Sequence, residues 1–265
     1  MCSMIYPRQY GYWLLFLMWS LLCGSHVHAQ PSRVNESMVT TSSYGLYFRP
    51  HSGADVTLDN NGKNIFDGLD PASIPGPLYW NSDWAPANLF LKDDRFLGRF
   101  PVRLNLYNGL FVARMSNGDE KVVQEELVKS IRFDTVVNGM SSPVFVLAAP
   151  PVSLEARHVP KGFLLQMTTS PVMLLRSMKS ILLYRDSLFG AIRKPYFALR
   201  ESYHVAYKGA FVNLRKLSYR ELSAAAPELE GQESFFTQRR VRWSDEASVV
   251  AALQSWNVAQ LKQTK

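Results

Sequence analysis

The stretch FPVRLNLYNGLFVAR, residues 100–114, decides the fold class of this 265-residue chain. Apolar and polar residues alternate on both sides of an Asn-Gly pair, which is typical of two half-buried strands joined by a tight turn. If Asn108 and Gly109 form a two-residue turn, Arg103 lies opposite Arg114 and one face of the hairpin is entirely apolar. We expect that inward face to comprise Val102, Leu104, Leu106, Phe111, Ala113 and Met115.

The outward face of the same hairpin supplies four candidate binding residues, Arg103, Asn105, Tyr107 and Arg114. Two arginines directly opposite each other repel, so this pair requires a nearby acid, solvent or an anionic partner. A structural polar network and an anion or ligand site are both compatible with the pattern. The acids that lie close in sequence are Asp93, Asp94, Asp119 and Glu120.

The remaining sequence predicts a mainly β protein with a short C-terminal α-helical segment. Short apolar or alternating runs separated by Gly, Pro and Asn turns continue through residues 78–216, which favours antiparallel hairpins forming a sheet, sandwich or partly open barrel. Residues 217–265 change to a helical period, beginning with a capping-box pattern at Ser218 and Glu221. We expect this segment to pack on the β domain through one apolar stripe of Val249, Leu253 and Trp256.

Residues 1–29 have the layout of a secretory signal peptide. An apolar run over 12–23 is followed by small or tolerated residues up to a cleavage point at Ala29. A membrane anchor is one alternative, although the run is shorter than the ~20 residues that span a bilayer, and lipid attachment at Cys23 is another. No later stretch predicts a transmembrane span. We expect an exported protein, periplasmic or outer-membrane-associated in a Gram-negative bacterium, with residues 30–77 as an irregular arm.

Basic residues are concentrated in the second half of the chain, which carries a net charge of +7 overall. Residues 176–220 contain 10 basic and 2 acidic residues. This excess predicts a surface for lipid headgroups, acidic glycans or an acidic protein, and a solvated strand face is the alternative. Nucleic acid is not expected, because no nucleic-acid-binding motif is present. The candidate anionic-surface residues are Arg176, Lys179, Arg185, Arg193, Lys194, Arg215 and Lys216.

The sequence predicts no catalytic residue, no metal site and no cofactor. Both cysteines lie in the signal segment, so the processed chain has neither disulfides nor thiol chemistry. The three later histidines are far apart, and neither a nucleophile elbow nor a phosphate loop is present. The carboxylates Asp67, Asp70 and Asp83 have no spacing that fixes a pair. Trp80 and Trp84 flank Asn-Ser-Asp, where they either stack on a sugar or close one end of a β core.

The segment GPLYWNSDWAPANLFLKDDRFLGRFPVRLNLYN, residues 76–108, resembles a family of uncharacterised exported β-rich proteins of Bacteroidota. The shared features are Gly-x-x-Tyr-x-Asn, a Leu-x-Leu-Lys-Asp hairpin and a Pro-x-Arg-x-Asn-x-Tyr strand. Residues 202–228 are similar more weakly, and the chain departs from the family at Leu110. Because the family is a domain of unknown function, the resemblance implies export and a β-rich fold but no activity. It also implies that a recurring element carries Arg103, Asn105 and Tyr107.

The leading functional hypothesis is a non-enzymatic binding or interaction module of the cell envelope, with an envelope protein or an anionic or amphipathic ligand as partner. A periplasmic carrier or sensor of an amphipathic or anionic ligand is the first alternative. An apolar pocket opened by Arg103 and Arg114 would favour it. A carboxylate-based hydrolase is the second alternative, and two carboxyl groups about 5–10 Å apart in a groove would favour that.

Overall fold

A computed structural model describes residues 46–51, 69–148, 162–186 and 193–263. The predicted signal segment, Cys23 and most of the predicted arm lie outside these residues. The strands are β1 (Phe48–Pro50), β2 (Ala85–Leu91), β3 (Phe96–Leu104), β4 (Phe111–Arg114), β5 (Glu120–Val123), β6 (Val128–Phe133), β7 (Val136–Val137), β8 (Met140–Ser141), β9 (Val144–Leu147), β10 (Phe163–Gln166), β11 (Met173–Asp186), β12 (Arg193–Tyr207) and β13 (Ala210–Leu214). The helices are α1 (Tyr219–Ala225), α2 (Glu233–Gln238) and α3 (Glu246–Gln263), with 3-10 turns at Pro71–Ser73 and Pro227–Leu229.

Eleven strands form one antiparallel sheet in the order β1-β5-β4-β3-β2-β6-β9-β10-β11-β12-β13, and β7 pairs with β8 separately. Most spatial neighbours are also sequence neighbours, as expected for hairpins joined by short turns. The predicted mainly β fold with a C-terminal helical segment is confirmed. Of the arrangements left open by the sequence, the structure has a single large sheet that does not close into a barrel.

Aromatic side chains fill the core under the central strands. Phe111 packs edge-on against Phe145 and Phe163, with ring centroids 5.2 Å apart in both pairs. Trp80 closes one end of this cluster at 4.9 Å from Phe145 and 5.4 Å from Phe133. Pairs of this kind contribute about 1 kcal/mol beyond their buried area. Trp80 therefore has the structural role that was one of its two predicted uses.

The C-terminal helices cover a second core on the last strands of the sheet. All three residues of the predicted stripe are buried, and they pack with Val172, Leu174, Val205 and Leu214. Asn257 on α3 adds a polar anchor, since its amide accepts from Val172 N at 3.1 Å and donates to Thr169 O at 2.7 Å. Ser218 Oγ accepts from Glu221 N at 3.3 Å, which confirms the serine half of the predicted capping box at the start of α1. The Glu221 carboxylate accepts from Arg215 N at 3.2 Å.

The β3–β4 hairpin has a longer turn than predicted. Arg103 lies opposite Val112, and the loop contains four residues instead of two. The cause is Asn105, whose side-chain oxygen accepts from Tyr107 N at 2.9 Å and from Asn108 N at 3.3 Å. Its carbonyl also accepts from Gly109 N at 2.9 Å, and Gly109 adopts φ +76°, a conformation that glycine takes without strain.

This register differs from the predicted one by two residues, so each side chain keeps its predicted face. All six residues predicted to point inward are buried. The predicted Arg103–Arg114 pairing is wrong, because Arg103 lies opposite Val112. Arg114 lies opposite Glu120 on the strand at the other side of β4. The outward face is also less exposed than predicted, since Asn105 and Val112 are both buried.

The β11–β12 hairpin is the longest element of the sheet, with continuous pairing from Met173↔Ala206 to Asp186↔Arg193. β10 pairs with β11 only up to Arg176, and β13 pairs with β12 only over its last residues. Residues 177–186 and 193–202 therefore extend past both neighbouring strands.

One face of this hairpin, here called the packed face, packs against residues 74–78, which precede β2 in the chain. Phe197 and Leu182 contact Ile74 and Leu78, and Phe197 N donates to Pro75 O at 2.7 Å. Gly76 adopts φ +112°, and a Cβ there would lie 2.1 Å from the Phe197 carbonyl oxygen, so this close approach requires glycine. The packed face carries the even-numbered residues of β11 and the odd-numbered residues of β12.

Candidate functional site

The first candidate site is built around Arg103, and the buried side chain of Asn81 organises it. Asn81 Nδ2 donates to Val102 O at 3.0 Å and to Asp83 O at 2.7 Å, while its Oδ1 accepts from Leu104 N at 3.2 Å. These bonds hold the Tyr-Trp-Asn-Ser-Asp-Trp segment against β3. The first and last aromatic residues of the segment consequently lie over the outward face of the hairpin.

Both arginines of the predicted site contact these aromatic rings. The Arg103 guanidinium carbon lies 3.9 Å from the ring centroid of Tyr79 and 4.6 Å from that of Trp84. The Arg114 guanidinium lies 4.4 Å from the same tryptophan ring and 3.3 Å from Glu120. Arg103 has no carboxylate partner within the described residues, and its buried Nε makes no hydrogen bond there. Ring faces thus stabilise the Arg103 guanidinium, and the Glu120 carboxylate pairs with that of Arg114.

Asn105 and Tyr107 do not join this arginine–aromatic cluster. Asn105 holds the turn as described above, and the ring of Tyr107 packs on Phe197 at a centroid distance of 5.7 Å. Trp84, which the sequence left between a sugar-stacking and a core role, contacts the two arginines instead. The arginine–aromatic contacts order the loop of residues 79–84 on the sheet. The contact between Tyr107 and Phe197 joins the β3–β4 hairpin to β12.

Arg176, a member of the predicted anionic-surface set, lies on the packed face of the β11–β12 hairpin. Its Nη1 is 3.0 Å from both carboxylate oxygens of Glu246 and 3.7 Å from Glu201. Tyr203 Oη donates to the same Glu246 carboxylate at 2.6 Å. Burial, together with this hydrogen bond, raises the pKa of Tyr203 to about 12. The network fastens the start of α3 to β11 and β12, so Arg176 is already paired.

Three further members of that set lie elsewhere, Arg193 at the end of the hairpin and Arg215 and Lys216 side by side before α1. Arg193 pairs with Asp186 at 3.3 Å near the end of the hairpin, on the packed face. Arg215 pairs with Glu221 at 2.8 Å, and this hydrogen bond raises the pKa of Arg215 and lowers that of Glu221. Lys216 is exposed next to this pair, in a cavity of about 410 Å³ lined also by Arg215, Ser218, Arg220 and Glu221.

The other three members lie together on the second face of the hairpin. Lys179 lies directly opposite Arg200, and Arg185 lies directly opposite Lys194. We call this surface the basic face. Two apolar pairs separate the two rows of cations. The basic face comprises Ser177, Lys179, Ile181, Leu183, Arg185, Lys194, Tyr196, Ala198, Arg200 and Ser202.

The basic face carries four exposed cations and no carboxylate. Lys179, Lys194 and Arg200 have no ion pair within the described residues, and the Arg185 guanidinium lies 5.3 Å from the ring centroid of Tyr196. Like charges directly opposite each other on a sheet are destabilising. Sequence reasoning left Arg200 out of the candidate set and mixed the two faces, because it drew the set from one basic stretch without assigning alternate residues to opposite faces. Alternation along each strand was the signal that could have separated them.

Ser202 and His204 form a hydrogen-bonded pair that the sequence did not predict. Ser202 Oγ lies 3.1 Å from His204 Nε2, and burial lowers the pKa of His204. A histidine acting as general base for a serine is oriented through its other ring nitrogen. Within the described residues, His204 Nδ1 is buried and makes no hydrogen bond. The pair therefore lacks the third group of a catalytic triad in the part of the chain that the structure describes.

The described ranges contain neither a metal-binding cluster nor a helix suited to cross a membrane. No three His, Cys, Asp or Glu residues there are arranged to hold a metal ion. None of the helices that the structure describes combines the length and the apolar character needed to cross a membrane.

No family model, curated protein or solved structure matches this chain. The resemblance to exported Bacteroidota proteins therefore stays a prediction.

Proposed function

We propose that this protein is an exported cell-envelope module that acts by binding, without catalysis, and that the basic face engages an anionic partner. The observation that carries this proposal is the charge distribution on β11 and β12. The two cations on the packed face, Arg176 and Arg193, each pair with a carboxylate. The four cations on the basic face have none on their own face.

Charge complementarity supports an anion as the partner. A surface of one sign attracts oppositely charged partners and increases their rate of association. An anion bound between Lys179 and Arg200, or between Arg185 and Lys194, also relieves the repulsion within each pair. The signal-peptide pattern of residues 1–29 supports the envelope location. The carrier and hydrolase hypotheses stay predictions.

The arginine–aromatic cluster supports a structural role, and not a binding role, for the outward face of the β3–β4 hairpin. Its cations are already stabilised by the rings of Tyr79 and Trp84 and by Glu120. We therefore assign the binding role to the basic face and a loop-ordering role to Arg103.

Retention on immobilised dextran sulfate tests the proposal with two variants that lose the same charge. The face variant carries Lys179→Gln, Arg185→Gln, Lys194→Gln and Arg200→Gln. The control variant carries Lys92→Gln, Lys129→Gln, Arg240→Gln and Lys262→Gln, all at exposed positions outside the basic face. Circular dichroism checks that both are folded.

We expect the wild-type and control proteins to elute at similar salt concentrations and the face variant to elute much earlier. The reason is that contacts to a polyanion depend on local cation density and are screened by salt. Equal losses in the two variants would show that only net charge matters, and this would contradict the proposal.

A further inference from the structure

The basic face combines its cations with an apolar band, and this inference deepens the proposed function and rests on it. Between the two rows of cations lie the directly opposed pairs Ile181↔Ala198 and Leu183↔Tyr196. All four side chains of the band are partly exposed. We infer that the anionic partner is the surface of a lipid bilayer that contains anionic phospholipids.

The arrangement of these features suits a face that lies flat on a bilayer surface. Lys179 and Arg185 are six residues apart on β11, which separates the two cation rows by about 20 Å. Lysine and arginine side chains extend to reach phosphates while their stems lie along apolar surface. The aliphatic side chains between the rows can enter the boundary between headgroups and acyl chains. Tyr196 has the amphipathic ring that favours this interface.

A water-soluble polyanion would match the charged residues of the basic face but not its apolar band. It could neutralise the cations, but it offers no apolar phase for Ile181 and Leu183. An anionic bilayer supplies both phosphates and hydrocarbon, and each cation near such a surface adds to the attraction. Charge complementarity and apolar burial therefore favour the same occupant.

The fold presents this face without rearrangement. The distal part of the hairpin extends past β10 and β13, so neither strand pairs with it there. The packed face is bonded to the segment before β2, where Phe197 N donates to Pro75 O and the Ser180 hydroxyl donates to Pro77 O. These bonds anchor the middle of the packed face and leave the basic face open.

Cosedimentation of the protein with lipid vesicles tests the inference. One set of vesicles contains equal parts of phosphatidylglycerol and phosphatidylcholine, and a second set contains phosphatidylcholine alone. We expect binding to the mixed vesicles and little binding to the zwitterionic ones. The face variant, which loses four cations, should lose about 1,000-fold in affinity for the mixed vesicles, and the control variant should retain wild-type affinity.

A third variant, Ile181→Ser with Leu183→Ser, separates the lipid inference from the proposed function. It should bind mixed vesicles about 10-fold more weakly and dextran sulfate as the wild type does, because it loses apolar burial and no charge. Binding of the wild type to dextran sulfate but not to vesicles would overturn the lipid inference and leave the proposed function standing. Failure to bind either would overturn both. Vesicle binding that the face variant or the serine variant leaves unchanged would also overturn the inference.

Discussion

The two faces of the β11–β12 hairpin are made from alternate residues of the same two strands. The cations of one face are paired with carboxylates, and those of the other face are not. On the packed face, Arg176 contacts Glu246 and Arg193 contacts Asp186. On the basic face, two pairs of cations lie directly opposite each other with no carboxylate between them. Composition alone cannot separate these faces, because both lie within a single basic segment of the sequence.

This difference follows from what each face contacts. A cation that is removed from water loses hydration and requires a partner, so Arg176, with 16% of its side chain exposed, is held by carboxylates. A cation that stays in water is screened and needs none. Burial therefore accounts for the pairing of Arg176. The pair Arg193–Asp186 lies at the exposed end of the packed face, with 76% and 70% of the two side chains exposed, so its pairing does not come from burial.

The largest effect that distinguishes the faces is expected for a substitution at the α3 anchor. Arg176→Gln leaves the carboxylate of Glu246 partly buried without its cation, and we expect the free energy of unfolding to fall by about 2–3 kcal/mol. Lys179→Gln on the exposed basic face should change it by less than about 0.5 kcal/mol. Urea denaturation of both variants measures the difference, and equal effects would show that the two faces are not distinct in this way.

A smaller effect is expected from the pH dependence of stability. Because the pKa of Tyr203 is raised to about 12, its protonated form is favoured in the folded state. Its contribution to stability is therefore complete below its ordinary pKa of about 10 and is lost as the pH rises from there through 12. Tyr203→Phe should remove this loss. Denaturation curves across that alkaline range would argue against the network if the wild type and this variant had the same slope.

Period-two alternation allowed much of the fold to be predicted. It identified the inward residues of the first hairpin correctly even though the turn was wrong, because a shift of two residues preserves the faces. The turn itself could not be read from Asn108 and Gly109 alone. The side chain of Asn105 competes for the turn amides and lengthens the loop.

The candidate sites were less accessible to sequence reasoning because they depend on contacts between distant segments. The ring partners of Arg103 come from a loop that Asn81 fastens to β3, and nothing in the local pattern of the hairpin indicates them. On the second hairpin, the opposition of Lys179 and Arg200 depends on the register of two long strands. Arg176 pairs with Glu246, seventy positions away.

Side-chain footprinting with hydroxyl radicals, with and without vesicles of phosphatidylglycerol and phosphatidylcholine, tests the central claim most directly. The account predicts slower oxidation of Ile181, Leu183 and Tyr196 on the basic face when vesicles are present. Tyr184 and Leu199 are exposed residues of the same strands that point to the opposite side, and their oxidation should not change. Protection of Tyr184 and Leu199 equal to that of the basic face, or no protection of Ile181, Leu183 and Tyr196, would contradict the account.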